Sequence, residues 1–237
     1  MNRIFIGYDN RQPVSFNVLQ QSIINTAKKP VSITALVLDQ LPLKRQGLTP
    51  FTFSRFLVPH LCNYEGWALF LDIDILVRHD ITELFDLRDD KYAVMVSKNK
   101  HKFEWASVIL FNCGHPSNKI LTSNFVENVN GLHQINWLQE EEIGDLPREW
   151  NHLVGYDDER NDAKLIHYTQ GVPCYDETSD SEYVKPWEMT AQQCLSSMPW
   201  ESLMGPSVHA VTINGKRVPR YKLKKYGLEE DKKIIGA

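Results

Sequence analysis

The sequence predicts an α/β fold with a central, mostly parallel sheet flanked by helices. Two stretches carry that expectation. The first is Trp67-Ala-Leu-Phe-Leu-Asp-Ile-Asp-Ile-Leu-Val77, apolar except for two acids. A continuous apolar run of this length reads as a central strand buried on both faces, the pattern of parallel sheets. The second is the start of the chain, where a short apolar segment, an amphipathic segment and a second apolar segment follow one another as a β-α-β unit. Such a unit implies a parallel strand pair and a ligand-facing loop at Tyr8-Asp9. The 237 residues are 42% hydrophobic and 24% charged, enough for one large domain with a buried core.

In chain order, Arg3 to Gly7 is the first strand, and Gly7-Tyr8-Asp9-Asn10 turns away from it with exposed backbone. Pro13 to Lys28 places Phe16, Leu19, Ile23 and Ala27 on one helical face, with Pro13 suited to the first turn. Val31 to Leu38 is the second strand. Leu41 to Thr52, with its prolines and glycine, reads as loop. Phe53, Phe56, Leu57, His60 and Leu61 recur at helical spacing, with Pro59 expected to kink that helix. Asp80-Ile-Thr-Glu83 has the spacing of a capping box opening a short helix to Leu87. Tyr92–Val96 and Ser107–Phe111 read as strands, separated by a polar loop over Ser97–Lys102. Pro116–Val129 and His133–Glu142 read as helices, and Lys164–Tyr168 as a last short strand. From about Met189 the pattern weakens. Residues 1–190 are therefore expected to form the main domain and 191–237 a C-terminal extension. That extension carries the acid-free basic stretch Asn214–Tyr226, read as a solvated tail or a contact for an anionic surface.

Asp72 and Asp74 are the candidate centre of function. Buried carboxylates are costly unless paired or metal-bound, so both are expected where the strand leaves the sheet, at its carboxyl end. That edge is where open α/β sheets bind ligands. Carboxylates at i and i+2 share a side of an extended chain and attract a hard divalent cation with its phosphates. Tyr8-Asp9 stands at the equivalent end of the first strand. Asn112, at the end of another strand, is expected at a ligand-facing edge. Arg55 precedes the acidic strand and is of a type that neutralises phosphate, although spacing alone favours a solvated helix face. His167 ends a strand before the glycine-containing turn Thr169-Gln-Gly-Val-Pro173. Of the run Glu140-Glu-Glu142, most is expected to face solvent.

Bulk properties exclude several functions. The net charge is −4, so no overall basic field points to nucleic acid. The cysteines Cys62, Cys113, Cys174 and Cys194 are dispersed, without a Cys-x-x-Cys pair. They imply neither a zinc site nor a disulfide framework, and they suit a reducing compartment. The N-terminus lacks the apolar stretch of a signal peptide, and no run approaches the ~18 apolar residues of a membrane span. A cytoplasmic protein is expected.

Taken in order, several segments resemble the metal-dependent glycosyltransferases of the GT-A fold, close to glycosyltransferase family 8. They are the first strand with Tyr8-Asp9, Ser54-Arg-Phe-Leu-Val-Pro59, Phe70-Leu-Asp-Ile-Asp74, Leu110-Phe-Asn112, Leu146-Pro-Arg-Glu-Trp-Asn151 and His167-Tyr-Thr-Gln-Gly171. The chain is also similar to uncharacterised bacterial and viral relatives with a His-Tyr-Thr-x-Gly-x-Pro turn. The resemblance implies a nucleotide-diphosphate sugar donor, foremost a UDP-sugar, and a hydroxyl acceptor on a glycan or similar molecule. It implies that Asp72, Asp74 and His167 hold Mn²⁺ or Mg²⁺, the imidazole tilting the choice to Mn²⁺. Tyr8 and Asp9 would hold the nucleoside, Arg55 the diphosphate or sugar, and Asn112 the sugar, while Gly171 would let backbone approach the phosphates. Two positions depart from the family. Val172 stands where a phosphate-binding lysine is usual. Glu140-Glu141 stands nearest to an Asp-Gln pair, which makes Glu141 and Glu140 candidate catalytic residues, as a general base in an inverting enzyme or as orienters of the sugar in a retaining one.

Two rival readings remain from the residues. A haloacid-dehalogenase-like Mg²⁺ phosphatase would use Asp72 as nucleophile and Asp157-Asp158 as a late acidic motif. Against it, a full β-α-β unit precedes the Asp-x-Asp, and Ile75-Leu76 follows it. A non-catalytic sugar-nucleotide-binding module would bind nucleotide and metal without turnover.

Overall fold

The computed structural model describes residues 1–194 and 206–226. Strand β1 (Asn2–Gly7), helix α1 (Pro13–Thr26) and β2 (Val31–Leu36) form the expected parallel unit. A helical run follows: α2 (Phe51–Ser54), a 3-10 step over Arg55–Leu57, and α3 (Val58–Leu61). Pro59 lies in the first turn of α3, where its missing N–H costs nothing. The long apolar run is two strands, β3 (Trp67–Leu71) and β4 (Ile75–Val77), with Asp72 and Asp74 at the break. Helix α4 (Glu83–Asp86) begins without the expected capping box: the Asp80 carboxylate accepts from the N–H and hydroxyl of Thr82 instead.

Beyond α4 come β5 (Val94–Val96), β6 (Val108–Asn112), α5 (Ser123–Asn128), β7 (Ile143–Asp145), β8 (His152–Leu153) and β9 (Leu165–His167). The helix expected over 133–142 is absent. Two 3-10 turns, Leu132–Gln134 and Glu140–Glu142, stand in its place, and Ile135 adopts a left-handed φ of 58° between them. Helix α6 (Val184–Cys194) lies on α1, where Asn25 donates to the Gln193 side chain. The described part of the C-terminal extension is no solvated tail. It forms the hairpin β10 (Ala210–Ile213) and β11 (Lys216–Pro219), turned at Asn214-Gly215 with φ of 50° and 77°. Residues 195–205 and 227–237 of that extension lie outside the described residues.

The main sheet has the order β2-β1-β3-β6-β5-β7. Its pairings make every strand but β6 run in one direction. A second sheet, β4-β9-β8, takes up the apolar run after its break. The two faces of the main sheet bury separate cores. Phe5, Phe56, Phe70, Ile109 and Phe111 fill one, while Ile4, Ile6, Leu69, Leu71 and Leu110 fill the other. This alternation is the two-residue period of a strand covered on both sides. Among the described residues no helix is long and apolar enough to cross a membrane.

Two contacts fix the helical run over the ends of β1 and β3. Gly7 closes β1 beneath Phe51, and a Cβ there would overlap the Phe51 ring. Arg55, expected on a solvated face, is 5% exposed. Its Nη1 lies 2.9 Å from Asp72 Oδ1 and donates to the Ala106 carbonyl at 2.8 Å, and its Nε donates to the Thr52 carbonyl at 3.2 Å. The guanidinium also lies over the rings of Phe70 and Phe51.

Gly7→Ala is expected to lose about 1–3 kcal/mol of stability through overpacking, read from the midpoint of urea unfolding. Removing one partner of a buried ion pair typically costs about 3–5 kcal/mol. Arg55→Met should fall in that range, with part recovered in the double variant Arg55→Met/Asp72→Leu. A near-neutral Arg55→Met would mean that the pair does not hold this corner together.

Candidate functional site

The carboxyl ends of β1 and β3 and the amino end of β6 lie at one edge of the main sheet. Asp72 leaves β3 there, its N–H donating to the Ser107 carbonyl at 2.9 Å. The chain turns at Ile73-Asp74 and enters β4. The antiparallel register of β4 on β9 sets His167 opposite Ile75, and Tyr168 N–H donates to the Asp74 carbonyl at 2.9 Å. A short turn and one strand pair therefore bring two acids and a distant histidine together.

One ligand atom from each of Asp72, Asp74 and His167 lies within 4.8 Å of the others, and all three residues are buried. His167 Nε2 is 3.3 Å from Asp74 Oδ1. Asp72 Oδ1, Asp74 Oδ1 and His167 Nδ1 are buried without an aligned hydrogen bond, although Asp72 Oδ1 has the Arg55 charge beside it. Buried polar atoms normally find partners. Two carboxylates and an imidazole left in this state fit a divalent cation.

The electrostatics are those of a charged cluster out of water. Burial pushes Asp72 up to about 7, against the pull of Arg55 and with the push of Asp74. Burial also acts to raise Asp74, but the charge of His167 beside it outweighs burial and holds the carboxyl below its usual range. Burial acts to lower His167, yet Asp74 raises it to about 9.

Glu104 is a fourth member that sequence reasoning missed. It lies in a 3-10 stretch, Lys102–Ser107, that enters β6, and its Oε2 is 4.0 Å from His167 Nδ1. Burial raises its carboxyl, with His167 opposing. The fully buried Asn151 donates to the Glu104 carbonyl at 3.2 Å and to Ser107 Oγ at 3.1 Å, which fixes this stretch. No motif surrounds Glu104; only the reversed direction of β6 brings its entry loop to the site.

The strand directions correct two expectations. Asn112 pairs with Trp67, at the opposite end of β3 from Asp72. Its amide donates to the Tyr92 carbonyl, and its own carbonyl accepts from the Asn118 amide. It is a structural residue at the far edge. Glu140 and Glu141 precede β7, and β7 runs parallel to β5, so they enter the sheet at that same far edge. Both are exposed, and Glu140 pairs with Lys98 at 2.9 Å. Neither joins the Asp-x-Asp cluster.

Tyr8 and Asp9 stand at the same edge as Asp72, as expected. Tyr8, Arg11, Asp39 and residues 46–50 line a cavity of about 320 Å³ beyond the ends of β1 and β2. Asp9 is fully buried, and both its carboxylate oxygens are taken by Arg11. Arg11 and Asp39 thus present the open polar groups, and Asp9 anchors one of them. Gly171 has a φ of 113°, and a Cβ there would lie 3.2 Å from Ser207 Oγ. Its bare face is turned to the C-terminal segment. Val172 is fully buried in an apolar cluster with Tyr168 and Trp187 and offers no cation.

Comparison with known proteins agrees with this geometry. The chain is 39% identical over 219 residues to Protein CDI of Arabidopsis thaliana, covering 78% of this chain and 84% of that protein. It is 25% identical over 213 residues to glycosyltransferase GlyB of Streptococcus pneumoniae serotype 4, covering 77% of this chain and 48% of GlyB, so it spans about half the length of that relative. In fold it is similar to the galactosyltransferase LgtC in complex with donor and acceptor sugar analogs, with a TM-score of 0.62 at 14% identity over 85% of this chain and 100% of LgtC. The sequence model described as glycosyl transferase family 8 matches residues 7–128, the stretch that holds Tyr8, Arg55 and both acids of the site. With a match over more than half of its length and an Asp-x-Asp edge joined by a distant histidine, the chain belongs to glycosyl transferase family 8.

Proposed function

We propose that this chain transfers a sugar from a UDP-sugar to a hydroxyl acceptor on a glycan or similar molecule, with Mn²⁺ held by Asp72, Asp74 and His167. The observation that carries the reading is the convergence of those three buried ligands at the carboxyl end of β3. When bound, the divalent ion neutralises charge on the departing diphosphate. The chain's own groups do the rest. Arg55 keeps Asp72 fixed and partnered while it is out of water. Tyr8, Arg11 and Asp39 bind the nucleoside in the cavity beyond β1. An imidazole beside two carboxylates favours Mn²⁺ over Mg²⁺, which prefers oxygen ligands. The dispersed cysteines suit a reducing compartment, and we assign the protein to the cytoplasm. Residues 1–190 are taken as the glycosyltransferase domain.

The carboxylate beside the reacting centre is Glu104 rather than Glu141. It stands on the His167 side of the cluster, whereas Glu141 faces solvent at the other edge. It either accepts the acceptor hydroxyl's proton, with inversion of the sugar, or orients the sugar, with retention. Against the phosphatase alternative, Asp157 of its late acidic motif is engaged by Arg148 and by the Leu153 N–H.

Incubation with Mn²⁺ and a panel of sugar nucleotides should release free nucleoside diphosphate, and a chelator should stop the release. Asp72→Ala and Asp74→Ala should abolish turnover, and His167→Ala should weaken Mn²⁺ binding in calorimetry. Full turnover in excess chelator would overturn the metal role. Phosphate released from simple phosphoesters would favour the phosphatase, and nucleotide binding without turnover on any donor would favour the binding module.

Glu104→Gln should keep nucleotide affinity and lose transfer by ~10²–10⁴-fold, while Glu141→Gln stays near the wild-type rate. The product's anomeric configuration separates the base from the orienter. The reverse ranking of the two variants would return the role to Glu141.

A further inference from the structure

The Asp74 carboxylate has a second histidine. His167 Nε2 faces Oδ1 at 3.3 Å, and His209 Nε2 faces Oδ2 at 3.9 Å. The second separation is too long for a direct hydrogen bond. It is a natural separation for two atoms sharing one ion. With metal–ligand bonds near 2.1 Å, adjacent corners of an octahedron lie about 3 Å apart and opposite corners about 4.2 Å. Both contacts with Asp74 fall in that interval; His209 stands just outside the group of ligand atoms that lie within 4.8 Å of one another, so its ring has to swing inward to join an ion held there.

We propose that His209 is a second histidine ligand of the metal held by Asp72, Asp74 and His167, so that the segment entering hairpin β10–β11 forms one wall of the metal site. This rests on the metal reading of the Asp-x-Asp cluster given above.

The fold holds His209 in place from several directions. Its N–H donates to Ser207 Oγ at 3.2 Å, and its carbonyl accepts from the Arg220 N–H at 2.7 Å. Arg217 donates to the Ser207 carbonyl and lies 4.0 Å from the largely buried Glu177 carboxylate. Ser207 in turn fits against the bare face of Gly171. The turn that follows His167 and the segment that carries His209 are therefore fastened to each other. Position 171 has a φ of 113°, which favours glycine, and its bare face keeps the contact with Ser207 free of crowding. Arg217 in β11 and Arg220 just after it donate to backbone carbonyls of the segment that leads into the hairpin. This accounts for part of the basic stretch as scaffolding for the site.

A site with two imidazoles and two carboxylates departs further from the all-oxygen preference of Mg²⁺ than a site with one. The inference therefore also narrows the class of cation, to those that accept nitrogen ligands readily.

Pulsed electron paramagnetic resonance on the full chain with Mn²⁺, alone and with UDP, counts the nitrogens bound to the ion. Two nitrogen couplings are expected in the unaltered protein, and one in each of His209→Ala and His167→Ala. Mn²⁺ affinity should fall by roughly 10–100-fold in His209→Ala, the scale seen when a group supporting a metal is removed. The count in the unaltered protein needs no variant, so a misfolded substitution leaves the test intact. A single coupling that survives His209→Ala and vanishes in His167→Ala would overturn the role of His209 and leave the site of Asp72, Asp74 and His167 standing. Absence of any nitrogen coupling from bound Mn²⁺, or of Mn²⁺ binding at all, would remove the metal reading and this inference with it.

Discussion

Asp72 brings a carboxylate into a place where water scarcely reaches, and Arg55 makes that tolerable. An uncompensated buried charge costs several kcal/mol, so the guanidinium has to be delivered to it. The rest of the corner follows from that requirement. The helical run over residues 51–61 crosses the end of β3 so that Arg55 points inward. Phe51 and Phe70 cover the guanidinium faces, and Gly7 gives Phe51 room to lie over the end of β1. The loop entering β6 closes the pocket by offering the Ala106 carbonyl to Arg55 and the Ser107 carbonyl to Asp72. The same pairing logic continues outward. His167 keeps Asp74 ionised, and Glu104 lies behind His167.

Much of this was legible in the chain. The Trp67–Val77 run announced a buried strand ending in two acids, and the β-α-β opening announced its parallel neighbour. The first pattern is strong because a run so nearly apolar is stable only where both of its faces are covered. The direction of β6 was not legible. An apolar run such as Val108–Phe111 has the same periodicity read either way, and direction depends on where its loops return. Asn112 was misplaced for this reason and Glu104 was missed for it, whereas the glutamates before β7 stand at the far edge because β7 runs in the common direction and they precede it. Arg55 was ambiguous because helical spacing tells which residues share a face but not what covers that face. The hairpin at Asn214-Gly215 did carry a readable sign. An Asn-Gly pair between alternating segments is the strongest short-range hairpin signal, and the density of lysine and arginine around it masked it.

Family membership and site geometry answer different questions here. Membership gives the class of reaction. It does not say how this chain manages without the usual lysine, because Val172 is sealed inside an apolar cluster. The same turn instead makes a close contact at Gly171 with the C-terminal segment, and that segment carries His209 to the acids. A boundary near residue 190 therefore runs through parts that touch one another around a single carboxylate.

The pairing of β4 with β9 joins Ile75 to His167 across a long stretch of chain, and this has a consequence for how the molecule comes into being. Closing a loop costs more entropy the longer it is, and non-local pairings are slow to form. The unit β1-α1-β2 and the strand β3 beside it draw on the first 71 residues alone. They can be in register while the histidine strand is still unplaced, and on a ribosome while it is still unmade. During that interval Asp72 has Arg55 from its own neighbourhood, but Asp74 has no imidazole. The acid pair thus divides into a member whose charge partner lies nearby in the chain and a member whose partner comes from the distant histidine strand.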